Sequence, residues 1–562
     1  MPLTERRELV LTEQTSLMKL SLNNACKCFA GLLLIGVSAC GGGGSGLTSN
    51  PTYRLGGTVL GLHGIGLTLA NGTVHLTIAA DGPFTFPAPV ADGATYAVTV
   101  DTQPSNPAQV CTVANGSGSI SGGNVANVNV SCVTSVADRK WQTPAPLETS
   151  DAGTVEMPAI AMNGSGNAML VWRRSLSGNS QVWSSQYSAG SKSWSTPVPV
   201  ALPTGTANVG TAAAPDIAID ANGNAVAVWQ QYQNAIWGIW ANHFSPGTGW
   251  ATAVRIDSVA GPSNFPRVTF DSDGNALAVW EQSDGTSYHI WANTLPAGTT
   301  VWRGSAQIDT NTGISGSPQI CAVGHGNVIA VWAQADTLTD SIYQVRSSSY
   351  VPNSSSWTAP VLVGSSPAIS SFNARVVCNA TGSAFALWEQ MDNSVWSNRY
   401  SFATGWMTAA PIRTNGLAPA APQIAVDVGG NAMAVWYESD VSGMNSHTWD
   451  AYYSVNGGGW GVAAQLSHSD AGALDRAEDP RIGFDAAGNA LAIWNRFDGT
   501  NEFNTASLYK PGTGWTEPID VEHQGAVLAP VLAVAPSGDA LAVWEQANDQ
   551  TPGEMLWETR FE

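Results

Sequence analysis

The stretch Pro215 to Trp229, PDIAIDANGNAVAVW, constrains this chain more than any other, because close copies of it recur through the C-terminal three quarters. The copies end at Trp172, Trp229, Trp280, Trp332, Trp388, Trp436, Trp494 and Trp544. Each has a glycine six residues before its tryptophan (Gly166, Gly223, Gly274, Gly326, Gly382, Gly430, Gly488, Gly538). All but one have proline fourteen before, Ala374 being the exception. Copies start 48 to 58 residues apart, and a fixed period of this size means one supersecondary unit per repeat, stacked on its neighbours.

One repeat reads as four strands. PDIAI opens on a proline whose missing N–H costs no ladder bond at a strand start, and its apolar residues alternate up to Asp220. DANGN is a turn, and a glycine there in every copy points to a backbone position with positive φ in a short hairpin. AVAVW is the second strand, with small and large residues alternating as tightly stacked sheets require. The third carries Trp-x-x-x-aromatic, as in Trp240 to Phe244, and the fourth opens with tryptophan, as in WATAVRI at Trp250 and WTEPIDV at Trp515. Four short antiparallel strands per unit of about fifty residues is the pattern of a β-propeller blade. The last repeat has a third strand, MLWETRFE, and the matching fourth-strand segment, RKWQTPAPL around Trp141, stands before the first repeat. We therefore expect an all-β chain with an eight-bladed propeller over 139–562, closed by pairing its N-terminal strand into the last blade.

Upstream, 51–135 holds short alternating strands between Gly, Asn and Asp turns, the pattern of a small Ig-like β-sandwich. Segment 41–50, GGGGSGLTSN, is a flexible tether. Segment 1–40 is a signal region: from Met18, where translation is expected to start, a basic residue precedes a short apolar run and then small residues. VSAC followed by GGGGSG resembles the lipobox of bacterial lipoproteins. The resemblance implies cleavage before Cys40, acylation of that cysteine, and, with Gly41 after it, residence at the outer membrane of a Gram-negative bacterium. An exported chain allows disulfides. Cys111 with Cys132 is the natural pair in the sandwich. Cys321 and Cys378 stand on neighbouring first strands with opposite side-chain parity, so their sulfurs either meet between the two blades or both point away, and export favours a bond.

Composition excludes some partners. The chain has 22 basic residues and a formal charge of −20, which argues against nucleic acid and against anionic membrane as a direct partner. Eight histidines show no ligand spacing, and DSDGN at Asp271 to Asn275 is better explained as a turn than as a calcium loop, so no metal and no cofactor is expected. Sixteen of the 23 tryptophans occupy the second- and fourth-strand positions and six the third-strand position; all 22 are expected in the core. Trp237 alone stands off that lattice.

The two hairpins of fixed length share one face, whereas the span from second-strand Trp to third strand, and the connection to the next repeat, vary in length. Variable loops on a rigid scaffold mark the face expected to bind. The expected ligand face comprises Arg174, Gln231, Gln282, Gln334, Gln390, Glu438, Arg496 and Gln546, each two residues after a second-strand Trp, with Tyr232, Trp237, Tyr288, Tyr343 and Tyr437. Amides beside exposed rings suit hydroxyl-rich ligands.

FSPGTGW, YKPGTGW and YSVNGGGW, ending at Trp250, Trp515 and Trp460, resemble the Asp-box hairpins of sialidase-like propellers in their Ser, Gly and Trp, though they lack the Asp. The resemblance covers the propeller and implies, as a second reading, a glycoside hydrolase with an arginine triad, a Tyr/Glu nucleophile pair and an acid Asp. No Phe-Arg-Ile-Pro-like segment follows the start of the propeller, and Arg173, Arg174 and Arg496 are the arginines that could gather. The leading expectation is a monomeric, lipid-anchored, non-enzymatic propeller that binds glycan or protein.

Overall fold

Alternation of apolar and polar residues over five to nine positions, broken at regular intervals by Gly-Asn turns, leaves this chain no way to build helices, and every described element is a strand or bridge. The computed structural model describes residues 50–562 except 63, 106–108, 135–138, 149–152, 177–178, 201–209, 258–260, 311–312, 338–341, 353, 365–367, 415–416, 468–474, 523–526 and 548–553. Cys40 and the signal, lipobox and tether segments before residue 50 lie outside the described residues, as do parts of the variable connections. Among the described residues no helix is long and apolar enough to cross a membrane.

Residues 51–134 form two four-stranded sheets. One runs Gly82–Thr85, Leu55–Leu60, Val125–Thr134, Gln109–Ala114; the other runs Val74–Ile78, Leu67–Asn71, Thr95–Thr102, Ser117–Ser119. They share a single core that includes Leu55, Val59 and Val130 from the first and Leu67, Leu69 and Val98 from the second. Two sheets on one core make this unit a β-sandwich, and it differs from the immunoglobulin pattern in one respect. The Cys111–Cys132 disulfide joins directly opposed residues of neighbouring strands in one sheet instead of bridging the two sheets.

From Thr154 onward each repeat is an antiparallel meander. In the second repeat, Ala212–Ile219 pairs with Ala225–Gln233, which pairs with Ile236–Ser245, which pairs with Gly249–Trp250 and, after a break, Val254–Arg255. The fourth strand is thus two short pieces instead of one. In three repeats a proline (Pro197, Pro360, Pro518) sits in the break, where a missing N–H cannot join the ladder. All eight turn glycines have φ between 71° and 97°, so the positive-φ reading of that position holds. The turn acids serve the same hairpin: Asp271 accepts bonds from the Asp273 and Asn275 amides (2.9 and 2.8 Å) and from the Asn275 side chain (2.7 Å).

The register explains the tryptophans. Second-strand Trp faces third-strand Trp across the ladder in six repeats, as in Trp229↔Trp240 and Trp436↔Trp449. The eight second-strand indoles are the largest fully buried side chains in the chain. The third-strand aromatic meets the fourth-strand Trp at about 5.5 Å between ring centroids in several repeats, as in Phe244–Trp250 (5.5 Å). At the last repeat that partner comes from upstream: Trp141 bridges Phe561, with centroids 5.4 Å apart, and Ala145–Pro146 pairs with Glu554–Phe561. Arg139 also donates to the Ser537 carbonyl.

The innermost strands touch in sequence. Thr154–Met162 packs on Ala212–Ile219, each first strand packs on the next, and Val527–Val534 of the last repeat packs back on Thr154–Met162. Four-stranded meanders arranged on such a run of inner strands make this a β-propeller-type fold. The Cys321–Cys378 disulfide joins two adjacent inner strands, with Cα atoms 5.6 Å apart, so of the two arrangements that strand parity allows the sulfurs take the one that meets between the strands. Two disulfides suit a chain that matures in an oxidising compartment.

Candidate functional site

Every inner strand carries the same irregularity. Its pairing with the second strand slips just before the proline position, as between Glu156 and Ala159 or Asn264 and Arg267. The residue in that bulge takes a left-handed conformation although it is not glycine: Met157, Ala214, Phe265, Ser317, Asn373, Ala421 and Asp479 have φ from 45° to 56°. Such backbone costs roughly 1–2 kcal/mol per residue, and strain repeated at one register gathers where binding sites are built. The bulges lie at the end of each sheet where the second strand finishes and the third begins, the face with variable loops. They leave Met157 and Phe265 about half exposed (47% and 50%), with Phe372 and Leu528 one position earlier also in solvent.

The bulge amides have dedicated partners. Glu545 accepts the Met157 amide (2.7 Å) and Glu281 accepts that of Ser317 (3.2 Å). Glu389 accepts the Ala421 amide and the Asn373 side chain (3.1 Å). Each carboxylate stands one residue after a second-strand Trp and reaches the following repeat; for Glu545 that is the first. Burial pushes all three carboxyls up to about 7, against the pull of those same amides. They can therefore hold a proton near neutrality.

Below the bulges, one residue past the proline position, the inner strands present Asp216, Arg267, Gln319, Arg375, Gln423 and Arg481 from consecutive repeats, all half-buried. The three arginines come from alternate repeats. Burial, together with repulsion from Arg267 and Arg481 and against the pull of Glu389, lowers Arg375 to about 10. Arg375 therefore feels the charges at the same register two repeats away on either side. Burial likewise raises Asp216, which accepts the Val268 amide (2.9 Å) and is attracted by Arg267.

The expected ring of residues two past each Trp is not a ligand face. Gln231, Gln282, Gln334, Gln390, Glu438, Gln546 and Arg174 are all buried, and Arg496 is largely so. The physical reason is the period of two in a strand: residues i and i+2 share a side, so these groups lie beside the indole. Trp229, Trp280, Trp332, Trp436 and Trp544 donate their ring N–H to Gln231, Gln282, Gln334, Glu438 and Gln546 at 2.9–3.2 Å. Arg174 pairs with Glu148 (2.6 Å) over the Trp183 ring, and Arg496 with Asp475 (3.3 Å). With Arg173 held by Glu156, the three arginines expected to gather are each engaged by a carboxylate instead. The same period of two, applied one residue earlier, points to Glu281, Glu389 and Glu545.

Of the expected aromatics, Tyr437 is half-buried and feels Glu478, Asp479 and Glu389, which with burial raise its hydroxyl. It belongs to the bulge end of the site. Tyr288 and Tyr343 are half-buried at the starts of third strands. Tyr232 is 40% exposed and packs on Trp237, centroids 5.3 Å apart. The pair closes a two-residue hairpin through Asn234 and Ala235, both with positive φ (53° and 63°), so Trp237 is a half-buried cross-strand partner instead of a free loop residue. On the opposite face, clefts of about 410 and 560 Å³ open between neighbouring repeats, the first lined by Asn167, Tyr187, Trp194, Asn222 and Phe244.

No family model and no curated protein matches this sequence. Among solved structures, the chain is similar to the Dos1 propeller (8% identity, TM-score 0.47, covering 76% of this chain and 95% of that one). It is also similar to the BP39L lectin from Burkholderia pseudomallei (12%, 0.42, 66% and 100%) and to an intramolecular trans-sialidase from Ruminococcus gnavus (12%, 0.32, 74% and 96%).

Proposed function

We propose that this protein is an exported binding protein, acylated at Cys40 and held at the outer membrane, whose propeller presents a non-catalytic site for a glycan or a protein segment. In this reading the propeller has eight blades and closes where the upstream strand around Trp141 completes the last one. The ligand meets the bulge end of the inner strands. The observation that carries the reading is the repeated left-handed bulge, which spends backbone strain to hold Met157 and Phe265 in solvent around one opening. Apolar groups there, beside Asn264, Asn373 and Tyr437, cover the apolar faces of a sugar or side chain while the polar groups meet its hydroxyls or amides.

A second reading, a glycoside hydrolase, draws on the three carboxyls pushed up to about 7, since a general acid needs such a value. Their amide partners already give these groups a structural task, so binding is preferred. A glycan array with the full chain, run beside an exoglycosidase screen, separates the two: saturable binding without turnover is expected, and turnover of aryl glycosides at enzyme-like rates overturns the non-catalytic role. For the anchor, Cys40→Ser should move the protein out of the membrane fraction, and unchanged fractionation refutes acylation.

A further inference from the structure

Arg267, Arg375 and Arg481 differ from the other well-placed cations of this chain. Arg174, Arg255, Arg413 and Arg496 each contact a carboxylate at 2.5–3.3 Å. The three inner-strand arginines make no ion pair among the described residues. Arg267 donates only to the Pro266 carbonyl (3.0 Å), and Arg481 to the carbonyls of Asp479 and Pro480 (3.4 and 3.0 Å). For Arg375 the nearest compensation is the charge of Glu389, a carboxyl that burial itself keeps partly protonated. Their guanidinium groups still reach solvent, for all three residues are half-buried and none has an enclosed, unpartnered nitrogen.

Arg375 is repelled by both Arg267 and Arg481, and although Asp216 attracts Arg267 and Asp479 attracts Arg481, neither carboxylate comes within ion-pair distance among the described residues. Three cations at one register of inner strands that pack in sequence thus lack a direct counter-ion in the empty protein, which is unfavourable. Folding tolerates that arrangement most simply if something compensates it. Guanidinium forks suit oxygen anions, which they bind with two parallel N–H···O bonds. A carboxylate offers two oxygens to three guanidinium forks. A tetrahedral dianion offers more charge and enough oxygens for three donors, with the Gln319 and Gln423 amides of the intervening repeats at the same register to complete the shell.

We propose that Arg267, Arg375 and Arg481 form a binding site for one sulfate or phosphate group in the opening enclosed by the inner strands. The group is either a free ion or the terminal ester of a larger ligand. The site rests on the reading that ligand enters at the bulge end, but it fails separately, since ion binding below the bulges can be absent while glycan binding at the mouth persists.

The test is calorimetric titration of the full chain with inorganic sulfate, inorganic phosphate, glucose 6-phosphate and acetate, repeated on Arg375→Gln and Arg481→Gln, with Arg255→Gln as control. Expected are one saturable site for sulfate or phosphate, affinity reduced about tenfold or more in either inner-strand variant, and no change in the control. Tighter binding of the ester than of inorganic phosphate assigns a terminal group, and the reverse assigns a free ion. In anion-free buffer Arg375→Gln should melt above the wild type, because it removes repulsion. Absence of binding, retention of binding in both variants, acetate binding as tightly as sulfate, or a lower melting temperature for anion-free Arg375→Gln would each overturn the proposal.

Discussion

Gln334→Ala tests whether the polar residues two past each tryptophan build the fold or meet a ligand. Gln334 is fully buried; its Oε1 accepts the Trp332 indole N–H (3.0 Å), and its Nε2 donates to the Thr310 carbonyl (3.2 Å) and hydroxyl. Alanine leaves the indole N–H and the Thr310 carbonyl without these partners. A buried polar group left so costs about 1–3 kcal/mol, and the cavity adds roughly another 1 kcal/mol or more. A total loss of about 3–5 kcal/mol is expected, read as a lower urea midpoint by tryptophan fluorescence. Gln334→Met keeps most of the volume and loses only the hydrogen bonds, so it should fall between wild type and alanine. If Gln334→Ala instead stays within about 0.5 kcal/mol of wild type, as a solvated surface group would, the structural role assigned to this register is wrong.

Trp237→Ala should cost about 1–2 kcal/mol, because the ring is half-buried and loses one aromatic partner, Tyr232; a loss of 3 kcal/mol or more by urea unfolding would place it in the core. For Glu545, burial raises the folded carboxyl from the usual 4.5 to about 7, so the folded state holds an extra proton between those values. The corresponding stability is present in full below about pH 4.5 and is lost as pH rises through about 7, by up to about 3 kcal/mol. Glu545→Gln, which mimics the protonated form, should therefore gain on the wild type between pH 4.5 and pH 8, and parallel urea midpoints across that range would refute the shift.

What the sequence shows clearly is whatever repeats locally. The turn glycines at positive φ and the cross-strand tryptophan pairs follow from spacing and from the alternation of side chains along a strand, whereas for Cys321 and Cys378 the same alternation allows both a bond and its opposite. The same alternation, carried through, forbids Gln231 or Gln334 from pointing outward when Trp229 and Trp332 point inward. The bulges are harder to see, because a proline after Met157 or Phe265 reads as an ordinary strand start; proline in fact disfavours the helical region for the residue before it without announcing a left-handed one. The arginines are hardest. Arg267, Arg375 and Arg481 are single residues in strands otherwise read for their apolar pattern, and their common register shows only once the inner strands are laid side by side. Cys40 and its surroundings are legible in sequence alone, since they lie outside the described residues.

The register that failed as a ligand face explains how the variable connections are held. In five repeats the residue two past the buried Trp holds the segment entering its own repeat. Gln231 donates to the Gly210 carbonyl (2.6 Å) and Gln334 to Thr310. Glu438 takes a bidentate bond from Arg413 (2.8 and 2.8 Å), whose guanidinium also lies 3.6 Å over the Trp449 ring. Arg174 holds Glu148, and Arg496 holds Asp475. Amide and ion pair are alternative solutions to one problem, and they differ in consequence. A buried pair such as Glu438–Arg413 gains little net stability over an amide, because both charges must be desolvated, but it fixes orientation through two parallel bonds and a ring contact. Through Gln231, Gln334 and Glu438 the incoming connection is thereby tied to a fully buried indole. Insertions beyond that tie can vary in length without disturbing the inner strand that follows, so the bulge and the arginine below it keep their positions while the surrounding loops are free to change.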